Sequence, residues 1–358
     1  MASLVSICMP HLNSGRFVHD RMRSILSQTL ENWELIIVDS QSDDGSLAVL
    51  EDYAARDARI HIHQSPRDGI YSNINRAIER ARGGYVYLAT SDDTMQSDCL
   101  ERMVSAIEVN PECGLAHCCL TIIDEDGLPV AAEDAWESYD TQRYFGAWLR
   151  KSHVRCAPHD GLLHFRYYTV FTSLTQLLVR REVYQRHGLF RTGIGSHADF
   201  AWGLRVGLLE NVAHVPHALA TWRRHRGQAT QNHSLLQTRS EGEFGRLAAE
   251  ALEWLDGVRP KLAAAIRGRG MLRHYHADEF EACLSLARTP ASSARAAAGF
   301  AMRHPGYACR RLLRRLKQGG GSGDSIGDDI RFLMPEGGLA EAKDGSQKTA
   351  SPAGAQST

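Results

Sequence analysis

The stretch WELIIVDSQSDDGS, Trp33 to Ser46, decides the fold. ELIIVD (Glu34–Asp39) is a short apolar run, the right length for a buried strand. It stops at a carboxylate, passes through the turn-forming residues SQSDDGS, and enters SLAVLEDYAARD (Ser46–Asp57). There Leu47, Leu50 and Tyr53 or Ala54 fall on one helical face. Strand, turn and amphipathic helix in that order form the first part of a βαβ unit.

The same rhythm continues on both sides. LVSICM (Leu4–Met9), ARIHIHQ (Ala58–Gln64) and YVYLAT (Tyr85–Thr90) read as further strands, and RFVHDRMRSILSQ (Arg16–Gln28) reads as a helix. These elements predict an α/β fold around a mostly parallel sheet. A helix is expected over Cys99–Asn110, then a strand over Gly114–Asp124, a strand over Thr175–Val183, a helix over His197–Glu210 and a strand over His214–Arg224. The segment Ala131–Val170, rich in Trp, Tyr, His and Arg, has no period and is expected to be an acceptor-facing insertion. The expected division is one α/β domain over residues 1–235, a helical region over 236–318, and a disordered tail over 319–358, rich in Gly, Ser, Ala and charge.

Composition narrows the classes. The 358 residues are 43% hydrophobic and 23% charged, which excludes a chain disordered throughout. A formal net charge of -1 provides no overall field for nucleic acid, so no nucleic-acid partner is expected. The eight cysteines form no CxxC pair and are expected to be reduced and structural. With no signal-peptide pattern at the start and no apolar run long enough to span a bilayer, a cytoplasmic protein is expected. RHPGYACRRLLRRLK (Arg303–Lys317) could lie on an anionic membrane as a peripheral contact at its inner face; a surface helix packed by its leucines is the plainer reading.

Carboxylates at strand ends carry the chemistry, because open α/β sheets bind ligands beyond the carboxyl ends of their strands. Asp39 ends one strand and could accept hydrogen bonds from a base or ribose, whereas Asp43, Asp44 and Ser46 could simply cap the next helix. Asp92 and Asp93 follow YVYLAT. Adjacent carboxylates repel, and a cation with a taste for oxygen ligands, Mg²⁺ or Mn²⁺, would relieve them. Asp199 stands at a helix start, where it either complements the helix dipole or takes a proton from an incoming hydroxyl. Arg223, His225 and Arg226 in TWRRHRGQAT (Thr221–Thr230) could meet a diphosphate or form a solvated basic loop.

In order, these pieces resemble the family 2 glycosyltransferases of the GT-A fold. SICMPHLNSGRF is similar to that family's SIVIPTYN strand and loop, WELIIVDSQSDDGS to its VDDGSTD signature, and DGIYSNINRAI to GIYDAMNKG. GGYVYLATSDD is similar to GDYIxFLNSDD, HADFAWGLR to the segment with the catalytic aspartate, and WRRHRGQAT to YRxHxGxxS. The resemblance covers roughly residues 3 to 230.

It implies a Rossmann-like nucleotide-diphospho-sugar transferase that inverts the anomeric centre and acts on a glycan or lipid-linked acceptor in bacterial surface polysaccharide or glycan assembly. Pro10 and Asn13 would sit in the first nucleotide-facing loop, Asp39 would bind the base, and Asp68 would line the nucleotide pocket. Asp92 and Asp93 would hold Mn²⁺ or Mg²⁺ on the donor diphosphate, with His225 as a further metal contact and Arg223 on the diphosphate. Asp199 would be the general base. Leu12 replaces the family's first-loop aromatic and Thr90 replaces the first acid of its metal motif. No Q-x-x-R-W signature of processive synthases occurs, which favours transfer of one sugar. The rival readings are a sugar-phosphate nucleotidyltransferase, disfavoured by the single glycine of PHLNSGR, and a non-catalytic sugar-nucleotide or glycan binder of the same fold.

Overall fold

The computed structural model describes residues 4–228, 242–286, 289–304 and 339–341. Four parallel strands open the chain: β1 (Val5–His11), β2 (Trp33–Asp39), β3 (Ile60–Gln64) and β4 (Tyr85–Leu88). Every residue of β1, β2 and β4 is buried, as expected for strands covered on both faces by crossover helices. The helices α1 (Val18–Leu26), α2 (Ser46–Arg56) and α3 (Ile70–Arg80) connect them, with α3 packed on β1 and β2.

The sheet continues through β5 (Cys113–Ile123), β6 (His153–Arg155), β7 (Leu177–Arg180), β8 (Asn211–Arg223) and β9 (Leu339–Glu341), in the order β3-β2-β1-β4-β7-β5-β8-β6-β9. Among these strands only β6 and β7 run against the rest. Three of the residues expected in a disordered tail therefore form an edge strand on β6, whose unpaired backbone groups offer a ladder of hydrogen bonds. Strand order reverses at β1, which has β2 on one side and β4 on the other. A crevice opens at such a switch point beyond the strands' carboxyl ends. Register aligns those ends, since His11 faces Asp39 and Asp39 faces Gln64.

Two expected boundaries shift. The predicted strand Thr175–Val183 yields to helix α7 (Arg181–His187) after β7. The segment Ala131–Val170 is woven into the core and is not inserted outside it, although Ser138–Thr141 and Arg166–Thr169 line an open cavity. It supplies the short helix α5 (Asp140–Phe145), β6, and α6 (His159–Tyr167), and it buries Trp136, Phe145, Leu162, Phe165 and the ion pair Arg155–Asp160. Its large aromatics needed burial, and local periodicity could not show where.

Helix α4 (Cys99–Val109) packs on β5 and β8, while α8 (Ala198–Leu209) packs on α6. Gly161 and Gly207 permit that crossing. A Cβ on Gly207 would stand 2.6 Å from the Gly161 backbone nitrogen, and one on Gly161 would stand 2.5 Å from that of Leu208. The helical region follows as α9 (Glu243–Val258), α10 (Pro260–Arg269), α11 (Arg273–Leu286) and α12 (Pro290–Arg303). It docks through α9 on α8 and through Tyr275, whose hydroxyl donates to the His164 carbonyl at 3.1 Å. The basic segment beyond His304 lies outside the described residues. Among the described residues no helix is long and apolar enough to cross a membrane, and the described cysteines are free.

Candidate functional site

The carboxyl ends of β1 and β2 are stitched together by side chains. Asp39 is fully buried and accepts the Ser42 hydroxyl at 2.6 Å and the Ser42 backbone N–H at 3.1 Å. Ser42 Oγ accepts the Asn13 N–H at 3.0 Å, and Asn13 exchanges two hydrogen bonds with Asp43, at 2.8 and 2.9 Å. Asn13 holds φ 48°, a left-handed conformation that asparagine tolerates better than most residues. Arg67, after β3, closes the group by pairing with Asp43 at 2.9 Å and donating to the carbonyls of Ser40 and Gln41. Asp68 lies beside this group but pairs with Arg76 of α3. Leu12 is 44% exposed, so the first loop presents an aliphatic side chain where an aromatic ring could have stacked.

Across the switch point, Ser91 joins the end of β4 to β1. Its hydroxyl donates to the Pro10 carbonyl at 3.2 Å and lies 3.3 Å from that of Ser14. The next two residues diverge. Asp92 is partly exposed and meets His225 Nε2 at 3.0 Å. Asp93 is buried, accepts the Thr90 hydroxyl on one oxygen and accepts the Arg223 backbone N–H at 2.7 Å on the other. Burial, with repulsion from Asp92 second, pushes the Asp93 carboxyl up to about 7 against the pull of those hydrogen bonds.

Arg223, expected at the diphosphate, is itself buried. It donates from Nε to the Asp92 carbonyl at 2.8 Å and from Nη1 to the Glu125 carbonyl at 3.2 Å, and its guanidinium lies 4.8 Å over the Phe17 ring. The guanidinium is occupied in bracing the Asp92–Asp93 turn. His225 also rests on Phe17, with ring centroids 4.8 Å apart.

Asp199 stands in the first turn of α8, half-buried. It accepts the Phe200 N–H at 2.6 Å and the hydroxyl of Tyr71 from the first turn of α3. Burial raises its carboxyl to about 6, the two hydrogen bonds opposing. The partnership with Tyr71 brings Asp199 to the loop between β3 and α3, at the same edge of the sheet as Asp39 and Asp92.

The sequence expectations are thus joined in three groups: Asn13 with Asp39, Asp92 and Asp93 with His225 and Arg223, and Asp199 alone among the predicted residues. Ser42, Tyr71, Thr90 and Arg67 complete the groups. Thr90 was visible as a departure from an acidic position. Ser42 and Tyr71 stand inside the motifs SQSDDGS and DGIYSNINRAI, but the contacts with Asn13 and Asp199 that give them their roles join distant segments.

Comparison with known proteins bears on the family and the fold. Residues 6–170 match the model of glycosyl transferase family 2. That segment belongs to the family. TuaG of Bacillus subtilis strain 168, provisionally named a teichuronic acid biosynthesis glycosyltransferase, is 34% identical over 128 residues, covering 36% of this chain and 50% of its own length. EpsJ of the same organism, an uncharacterized glycosyltransferase, is 37% identical over 191 residues, covering 53% of this chain and 51% of its own. The chain thus spans about half the length of each.

Among solved structures, residues 1–349 of S. aureus TarS in complex with UDP-GlcNAc superpose with a TM-score of 0.52 at 15% identity, covering 78% of this chain and 81% of that one. The longer TarS structure gives 0.56 at 16%, covering 92% and 54%. The fold is that of the GT-A transferases.

Proposed function

We propose that the chain is an inverting glycosyltransferase that moves one sugar from a nucleotide-diphospho-sugar to a hydroxyl acceptor in bacterial surface polysaccharide assembly. The observation that carries this reading is the pairing at one sheet edge of an acidic turn, Asp92–Asp93 with His225, and a separate carboxylate, Asp199, tuned upward to about 6. The family of residues 6–170 supports it. Residues 1–235 are taken as the transferase domain and 236–318 as a helical region.

Asp92 and His225 suit a divalent cation. A carboxylate oxygen and an imidazole nitrogen already converge within 3.0 Å, and a second carboxylate, costly to ionise unaided, lies directly behind. Asp92 and His225 would hold Mn²⁺ or Mg²⁺, Asp93 would add charge and a further oxygen, and Arg223 is a positioning residue that fixes the turn. When bound, the ion offsets the charge that develops on the departing diphosphate. Asn13 takes the base and ribose, with Pro10 and Asp68 at the margins of that pocket, and Asp39, fully buried, sets the loop's position through Ser42.

In the transfer, an acceptor oxygen attacks the anomeric carbon, the bond to the diphosphate breaks, and its electron pair leaves with the nucleotide. The proton goes to Asp199, and one displacement inverts the centre. A carboxylate near 6 is ionised at neutral pH yet more basic than an ordinary aspartate. The test is nucleotide release from UDP-, GDP- and dTDP-sugars with Mn²⁺ and acceptor glycans. Release that Asp199→Asn lowers at least 100-fold, within the range of general-base contributions, supports the reading. Equal release by both proteins contradicts it.

A further inference from the structure

A cavity of about 390 Å³ lies away from the nucleotide loops, between the segment Ser138–Thr141, the end of α6 and the face of α11. Its walls include Tyr139, Thr141, Arg166, Tyr167, Tyr168 and Asp278. We propose that this cavity is the acceptor subsite and that it takes the terminal mono- or disaccharide of a glycan. The proposal rests on the transferase reading above and names the substrate class that the reading leaves open.

Two contact chains lead from the cavity to the segments that carry the two reactive groups. On one side the Tyr139 hydroxyl accepts Arg224 Nη2 at 2.6 Å, and Arg224 stands in the chain between Arg223, which braces the Asp92–Asp93 turn, and His225, which meets Asp92. On the other side the Tyr168 ring packs edge-on against Phe244 at 4.8 Å. Phe244 in turn packs against His197 at 4.9 Å and Phe200 at 5.0 Å, the residues that bracket Asp199. An acceptor must present one hydroxyl to both the leaving group and the base, and a cavity tied to both segments is placed to hold the part of the acceptor that lies beyond that hydroxyl.

The lining has the chemistry of a sugar site. Tyrosine rings offer flat apolar faces to the C–H face of a pyranose, while their hydroxyls and that of Thr141 can donate and accept as sugar hydroxyls require. Arg166 and Asp278 supply fixed donors and acceptors at opposite ends of the hydrogen-bonding range. Arg166 Nε is buried without a partner among the described residues, and Asp278 already accepts the Tyr168 hydroxyl. Tyr168 is also held at φ 68°, a conformation that costs a bulky residue about 1 kcal/mol or more and recurs at ligand sites. The volume is that of a small-ligand site and matches one or two sugar rings. Asp278 comes from the helical region, so this region forms part of the acceptor wall.

The test uses the full chain and ligand-observed NMR with methyl glycosides of glucose, galactose, N-acetylglucosamine and glucuronic acid, together with cellobiose and chitobiose. At least one probe should bind the wild type, retain its affinity in Asp92→Ala, and lose at least tenfold in both Arg166→Gln and Tyr168→Phe. The second change keeps the ring that packs on Phe244, so a folding defect is not expected to imitate the loss. Failure of every probe to bind the wild type, or equal binding by the two cavity variants, overturns the proposal. The transferase reading is judged on a different observable, nucleotide release, so either can fail alone.

Discussion

Asp199 works against stability. An unfolded aspartate titrates near 3.8 and this one at about 6, so between those values the folded protein retains a proton that the unfolded chain has lost. Folding stability therefore falls as pH rises through that window, and above it the cost of the buried charge is fully present. Asp199→Asn keeps an oxygen that can accept from Phe200 and Tyr71 but removes the charge. It should stabilise the protein at neutral pH by about 1–2 kcal/mol, raising the midpoint of denaturant unfolding while abolishing turnover. The turnover of the wild type should rise with pH through about 6 and then level off. A flat profile between pH 5 and 7 would deny Asp199 the role of base.

The elements differ in how far their positions can be read from sequence. Strands β1, β2 and β4 were legible because burial on both faces writes a continuous apolar run, and Asp39, Asp92 and Asp93 were legible because they end those runs. Helix α3 buries Asn73 together with Ile74, Ala77 and Ile78, and that polar residue interrupts the apolar spacing by which the helix could be read. Ser42 lies in SQSDDGS and Tyr71 in DGIYSNINRAI, but their partners could not be read from those motifs: Tyr71 acts on Asp199 from a distant segment, and Ser42 ties Asp39, three residues before it, to Asn13 of the first loop. Ser42→Ala should free the first loop from β2 and raise the donor KM several-fold, with little effect on kcat. The crossing of α6 and α8 sets the angle at which Asp199 is presented. Gly207→Ala should force the helices apart and destabilise the fold by about 1–3 kcal/mol, measurable as a lowered unfolding midpoint.

At the scale of the whole molecule, the sheet divides its labour. The parallel strands β1 to β4 present the loops that carry Asn13, Asp39, Asp68 and Asp92, and the mixed half from β7 to β6 carries a buried polar core built on Arg155 and Asp160. Burial would raise the Asp160 carboxyl, but Arg155 at 2.9 Å, together with His159, holds it below the usual range. Asp160→Ala would strand a buried guanidinium and should cost about 3–5 kcal/mol, seen as lost cooperative unfolding or low soluble yield. The histidines and arginines of the segment that carries this pair follow no period that marks them as interior; Arg155 is buried through its pairing with Asp160, whereas burial keeps His153 and His164 neutral by pushing their imidazoles down to about 4.

Asp92 and His225, brought together from the loops after β4 and β8, would make donor binding depend on a divalent cation. Calorimetric titration of UDP-, GDP- and dTDP-sugars into the wild type and Asp92→Ala, with and without Mn²⁺, addresses it directly. One donor should bind the wild type at least tenfold more tightly with Mn²⁺, and Asp92→Ala should lose that gain. Binding of no donor under any condition, or a Mn²⁺ effect unchanged in Asp92→Ala, would contradict the account.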